Sequence, residues 1–397
     1  MRYLRDDVVA SLIVFIVALP LSLGIALASG GTPEAGLITA VVGGIICGLM
    51  SGAPLVVAGP AAGLSAFVYQ LIQEHGIATL AVITVLAGTI QFAMGIFRLG
   101  KVFKFVPKSI LEGMLSVIGF IIATLQVHVL LGGQIPSTTV SAIVTLPNAV
   151  KNTFIPILVC GLVAITIQLF WHKLPKKVSW VPGALPAVIA ATLLSLLWEM
   201  PRVKISSLIP NQFPDLFSFT YDVNGVVIAA FGLAIVASAE TLLTAIAIDG
   251  FTKGKVSPAN LDKELLAHGV ANSVSGIVGG LPMTGVIVRS AVNVTSGART
   301  RLSTILHGVW ILFFVVLFPT ILNSIPLTAL AAILVVTGFK LLNLKEFIHV
   351  CKTSKLQGAL WAITFVGILS TDLLTGLICS ISIYAVVVLT KRMTQQA

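Results

Sequence analysis

The chain has 397 residues, of which 57% are hydrophobic and only 10% charged, with a formal net charge of +10. Soluble domains carry about 25% charged residues, so this chain cannot cover a water-facing surface. Solid apolar runs of about 20 residues, with no period-2 alternation, exclude a β-barrel and leave an all-α polytopic membrane protein.

Fourteen membrane segments are predicted. The first seven lie near 8–28, 34–51, 58–74, 79–97, 109–132, 153–171 and 180–199. The second seven lie near 223–247, 264–279, 284–297, 302–322, 326–342, 356–371 and 373–391. Arg2 and Arg5 ahead of an apolar run ending in Ala26-Leu27-Ala28 have the look of a signal peptide. Segment 1 is needed as half of a repeat, so it is expected to stay. The stretch Lys345–Lys352 reads as a short amphipathic helix on the membrane surface.

The basic residues test this topology. With the N-terminal side called inside, 20 of the 24 Lys and Arg fall in inside loops. Only Lys151, Arg202 and Lys204 fall outside, and Arg289 lies within the membrane. Such a bias predicts a cytoplasmic N-terminus and, after an even number of spans, a cytoplasmic C-terminus, in the cell (inner) membrane. Charges placed in this way face anionic lipid and give no reason to expect a nucleic-acid partner. Cys47, Cys160, Cys351 and Cys379 have no metal-ligand spacing and read as buried free thiols.

The two halves, 1–205 and 206–397, match each other in places. Gly52-Ala53-Pro54 precedes segment 3 as Gly280-Leu281-Pro282 precedes segment 10. Val106-Pro107 and Gly119-Phe120 in segment 5 recur at the same spacing as Ile325-Pro326 and Gly338-Phe339 in segment 12. Seven segments per half is an odd number, so the second half enters from the opposite side. That is a 7+7 inverted repeat, an architecture of secondary transporters.

In such repeats the site is marked by paired short segments interrupted by Gly or Pro. Here these are segments 3 and 10. A helix starting inside the membrane leaves N–H groups without helical partners, and its macrodipole places positive charge there. Two such termini facing one spot make an anion site from backbone. The candidate residues are Gly59, Pro60, Ala61, Ala62 and Gly63 on one side and Thr284, Gly285, Val286 and Val288 on the other. Arg289 adds a full charge, and an Arg at this depth is a functional candidate by default.

Glu240 is the one clear intramembrane acid, in segment 8, the mate of segment 1. It either takes a proton or stays charged against a cation. Thr244 stands at i+4 on the same helix face and offers an oxygen to Na⁺. The pair is therefore the candidate coupling site for H⁺ or Na⁺, with no cofactor expected beyond that ion. A static ion pair between Glu240 and Arg289 is the competing reading. Glu112, near Lys108, and Glu199 and Asp372 lie near segment ends. His268 and His307 read as hydrogen-bonded packing residues.

These residues resemble the SulP family of anion transporters. The resemblance rests on Ala18-Leu19-Pro20, Val57-Ala58-Gly59-Pro60, Gly279-Gly280-Leu281-Pro282, Arg289-Ser290-Ala291-Val292-Asn293 and Ser296-Gly297. It implies a core of segments 1–4 and 8–11 that moves like an elevator against a gate of segments 5–7 and 12–14. It also implies a homodimer. Glu240 and Thr244 match the Asp and Thr that bind sodium in Na⁺-dependent bicarbonate carriers of the family; the longer Glu admits a proton instead. Leu21 replaces a polar residue common after the segment-1 proline, and Val288 a common Ser, which leaves the anion to backbone N–H groups and Arg289. Many members continue into a STAS domain; this chain reads either as a naturally short form without it or as a truncated piece of a longer protein. Bicarbonate or sulfate is the expected substrate. A nucleobase permease of the same fold and an uncoupled exchanger or channel are the alternatives. No pattern of an intramembrane enzyme is present.

Overall fold

With few polar side chains to offer, the backbone must satisfy its own hydrogen bonds inside a bilayer, and helices do so within one segment. The computed structural model describes residues 3–136, 138–175, 181–205, 222–252, 254, 256–371 and 373–396. Arg2 and Asp372 lie outside the described residues. Among the described residues seven helices are long and apolar enough to cross a membrane, and shorter apolar helices accompany them.

Each predicted segment coincides with a helix. Segment 1 is Leu4–Ala28 and segment 2 is Pro33–Val42, continued by a π-helical turn Gly43–Cys47 and Gly48–Met50. Segments 3 and 4 form Ala62–Ile96, interrupted at Gly76, whose φ of 81° lies where residues other than glycine are strained. Segment 5 is Lys108–Leu130, segment 6 Ile155–Phe170 and segment 7 Ala184–Ser195. Segment 8 is Val223–Thr252, segment 9 Leu261–Ile277, segment 10 Ile287–Thr295 and segment 11 Leu302–Leu317. Segments 12, 13 and 14 are Leu327–Leu342, Lys355–Ser370 and Leu373–Gln396.

Two predicted starts are corrected. Segments 3 and 10 begin at Ala62 and Ile287, later than the predicted 58 and 284, because the preceding residues are extended. Strand β1, Ala58–Gly59, pairs antiparallel with β2, Thr284–Gly285, in the register Ala58↔Gly285 and Gly59↔Thr284. Hydropathy does not separate a two-residue strand from the helix that follows it. The surface helix Leu344–Thr353 forms where expected. A second, Thr139–Lys151, was not anticipated, although Thr138 and Ser141 supply a reciprocal capping box at its start.

The loops sort onto two faces. Asp7 in segment 1 accepts from the backbone N–H of Arg299 at 2.7 Å and of Thr300 at 3.0 Å, and from the Thr300 hydroxyl. Arg301 donates to Leu49 O, and Asn260 N–H to Gly52 O. The N-terminus and the loops after segments 2, 8 and 10 therefore share one face. On the other, Leu327 N–H donates to Pro201 O, and Arg202 donates to the carbonyls of Ser195 and Ser324.

The halves also meet symmetrically. A Cβ on Gly119 would strike Gly338 O, and one on Gly338 would strike Gly119 O. Segments 2 and 11 cross closely at Gly44 and Gly308, as segments 4 and 9 do at Gly88 and Gly269. The small-residue spacing Gly44-x-x-x-Gly48 thus serves helix packing, with Gly48 against Thr304 and Ile305. Cys47 and Cys160 are buried as expected, while Cys351 is half-buried and Cys379 exposed, which corrects that part of the reading.

Candidate functional site

The site is built where β1 and β2 bring the two half-helices together. Val286 N–H donates to Val57 O at 2.9 Å, so the pairing extends to the foot of segment 10. Each strand is then held by polar side chains from helices around it. Ser290 accepts from Val57 N–H at 2.9 Å and Asn293 donates to Leu55 O at 3.1 Å, so segment 10 secures the approach to segment 3. In return, Asn272 of segment 9 takes Met283 N–H at 2.8 Å and gives to Met283 O at 3.1 Å, standing in for a neighbouring strand. Thr39 of segment 2 accepts from Leu281 N–H at 2.6 Å, and Thr241 of segment 8 accepts from Gly285 N–H at 3.1 Å. A broken helix survives in a membrane only when such partners replace the lost backbone bonds.

Arg289 lies on the inward face of segment 10 and is 0% exposed. Its Nη2 donates to Pro60 O at 3.3 Å, while Nε and Nη1 have no protein partner. Gly59 leaves room for it; a Cβ there would collide with Nη1. Among the described residues no carboxylate forms an ion pair with Arg289, so the static pair with Glu240 is absent. His307 is buried in segment 11. Its Nδ1 lies 2.6 Å from Thr304 O, and Nε2 has no partner. His268 is likewise buried with Nδ1 on a carbonyl, that of Glu264 at 3.2 Å, as a packing role requires.

Glu240 faces Gly63, where a Cβ would run into the carboxylate. Its Oε2 is buried and unpartnered, and the Thr284 hydroxyl stands beside the carboxyl group. Thr244 is buried one turn further along segment 8, and among the described residues no hydrogen bond joins it to Glu240. Thr284, which sequence reasoning had placed with the anion, thus also neighbours the acid. Of the predicted set, Gly59, Pro60, Ala61, Gly63, Thr284, Gly285, Val286 and Arg289 are buried together around the strand pair. Ala62 is half-buried and Leu21 is buried in segment 1. Val288 is 36% exposed and does not share the buried environment of Arg289 beside it.

A cleft of about 570 Å³ leads to this place, with Gly63 among its lining residues. Its walls include Phe67 and Gln70 of segment 3, Ile118 and Leu125 of segment 5, and Ile368 at the end of segment 13. It also includes Glu74 and Thr139, which lie toward the face opposite the N-terminus. The arrangement offers buried cationic donors, a carboxylate with a hydroxyl, and a cleft that reaches Gly63. Among the described residues no three His, Cys, Asp or Glu gather as metal ligands.

Broken helices crossing at mid-membrane, with a charged group at the break and a cleft to one side, define a membrane carrier. Residues 4–364 match the model of the sulfate permease family. The chain belongs to that family, whose members are transporters and not enzymes. It is 30% identical to a Bacillus subtilis (strain 168) protein named "Putative sulfate transporter YvdB", across 98% of this chain and 74% of the relative. It is 27% identical to the bicarbonate transporter BicA of Picosynechococcus, across 86% of this chain and 62% of that one. The solved transmembrane domain of a cyanobacterial BicA superposes with a TM-score of 0.84 at 27% identity, covering 96% of this chain and 98% of that one. The murine Slc26a9 anion transporter in its inward-facing state gives 0.85 at 18% identity, covering 98% and 69%, and shares the fold.

Proposed function

We propose that the protein is a secondary active transporter of a small inorganic anion, bicarbonate or sulfate, coupled to H⁺ or Na⁺. The carrying observation is Arg289, fully buried with two nitrogens unpartnered, against a strand pair that joins two half-helix N-termini. Burying an Arg at mid-helix depth costs about 3 kcal/mol even on lenient scales. An oxyanion that accepts from Nε and Nη1 offsets that cost and is drawn to the same spot by the helix termini. The sulfate and bicarbonate transporters among the relatives support this reading.

Glu240 and Thr284 form the coupling position. Carboxylate and hydroxyl oxygens suit either a proton or a hard monovalent cation, and neutralising Glu240 makes anion binding next to it favourable. Thr244 supports the same helix face. The cleft toward the face opposite the N-terminus supports an outward-open state, with both termini cytoplasmic in the cell membrane. Segments 1–4 with 8–11 form the core, which moves as an elevator against a gate of segments 5–7 with 12–14. The protein acts in this reading as a homodimer.

The test is uptake of labelled bicarbonate, sulfate and fumarate into proteoliposomes under a Na⁺ gradient, a pH gradient or neither. Saturable uptake of bicarbonate or sulfate driven by one gradient, and lost in Arg289→Ala, supports the proposal. Uptake of fumarate alone, or uptake indifferent to both gradients and to Glu240→Gln, overturns it.

A further inference from the structure

A second cleft, of about 810 Å³, lies on the N-terminal face, far from the strand pair. It opens between the end of segment 4 and the start of segment 9, lined by Gly95, Ile96, Arg98, Lys101 and residues 258–263. Its shape is fixed by close packing. A Cβ on Gly95 would meet Leu266, and Gly100 N–H donates to Asp262 Oδ1 at 3.0 Å. Asp262 is thereby committed to holding the wall.

Three cations, Arg98, Lys101 and Lys263, converge on this cleft. All are exposed, and among the described residues none is in an ion pair. Against the single acid Asp262, they leave the cleft with a net positive charge. A soluble anion would satisfy that charge alone, but the rim carries a second feature. Ile96, Phe97, Leu99 and Val102 flank the basic residues and are strongly exposed, Phe97 at 75%. Charge beside exposed apolar and aromatic side chains at a helix end matches the boundary between headgroups and acyl chains.

We infer that this cleft binds the headgroup of an anionic glycerophospholipid, its phosphate among Arg98, Lys101 and Lys263 and its acyl chains along Ile96, Phe97 and Val102. The lipid bridges segments 4 and 9 on the face of the N-terminus, away from the transported anion. Phosphate pairs well with the fork of Arg98, and the two lysines act as point charges.

Native mass spectrometry of the full chain in detergent, with added dioleoyl phosphatidylglycerol or dioleoyl phosphatidylcholine, reads this out. Phosphatidylglycerol should be retained on the order of tenfold better. The preference should vanish in Arg98→Gln/Lys101→Gln/Lys263→Gln and persist in Lys340→Gln/Lys345→Gln/Lys352→Gln. Independently of any variant, a photoreactive phosphatidylglycerol on the unmodified chain should label peptides covering 95–102 or 258–266. Equal retention of both lipids, labelling elsewhere, or displacement of phosphatidylglycerol by millimolar inorganic phosphate would overturn the assignment, the last pointing to a soluble anion.

Discussion

Glu240 reaches the binding place because the residue opposite it has no side chain. A Cβ at Gly63 would overlap the carboxylate, and one at Gly59 would overlap the Arg289 guanidinium. These two glycines act as sockets for the two charged groups, so Gly63→Ala displaces the acid without altering any backbone angle. Gly63→Ala should reduce proteoliposome uptake at least about tenfold, while size-exclusion elution stays that of the wild type. Glu240→Gln keeps the shape but not the charge, so gradient-driven accumulation should disappear while anion exchange down its own gradient persists. Swapping the external driving cation in the same vesicles separates H⁺ from Na⁺ coupling. The sequence exposed Arg289 and Glu240 readily, since charges in apolar runs stand out. Helical spacing pointed to Thr244 at i+4 as a further oxygen on the same face. The structure brings Thr284 from a different segment, a contact that no local pattern encodes.

Between elements, polar side chains do the joining. Asn272 gives Met283 both halves of a strand-like hydrogen-bond pair, and Thr39 and Ser290 secure the flanking backbone. Asn272→Ala leaves a buried N–H and C=O without partners, at about 1–3 kcal/mol for each group. Melting in detergent should occur at lower temperature, and anion affinity should weaken, because the β2 backbone loses its brace. Asp7 works similarly at the N-terminal face, closing the turn before segment 11 with three acceptances. Asp7→Ala should lower the melting temperature with little change in the anion concentration at half-maximal uptake. Asp7→Asn, which keeps one acceptor oxygen, should fall between. The helices were legible from hydropathy and the break points from Gly and Pro. The braces were not: a lone Asn or Thr in an apolar helix carries no signal naming its partner. The helix Thr139–Lys151 was missed for another reason, its exposed apolar face being too short for a span and too apolar for a loop.

For the molecule as a whole, the charge bias and the loop contacts agree on two faces. Single cysteines at Gln73 and at Lys263, in a background without the four native ones, should react with an impermeant thiol reagent from opposite sides of sealed vesicles. Labelling of both from one side would contradict the topology. Gly119 and Gly338 pack against each other's carbonyls. Their matching positions were visible in the sequence as Gly-Phe at equal spacing, whereas their mutual contact required the fold.

The strand pair has a thermodynamic consequence. β1 and β2 share backbone hydrogen bonds, so in the proposed elevator the anion's contacts from both half-helices would move as one rigid cassette. A ligand carried in an unchanged cassette has the same intrinsic dissociation constant whichever side it came from. In the absence of a coupling gradient, half-saturation measured in right-side-out and inside-out vesicles should therefore coincide once each is corrected for the fraction of carrier facing that side. Any asymmetry that develops when the gradient is imposed then belongs to the occupancy of Glu240, and the ratio of the two values measures how strongly ion and anion are linked.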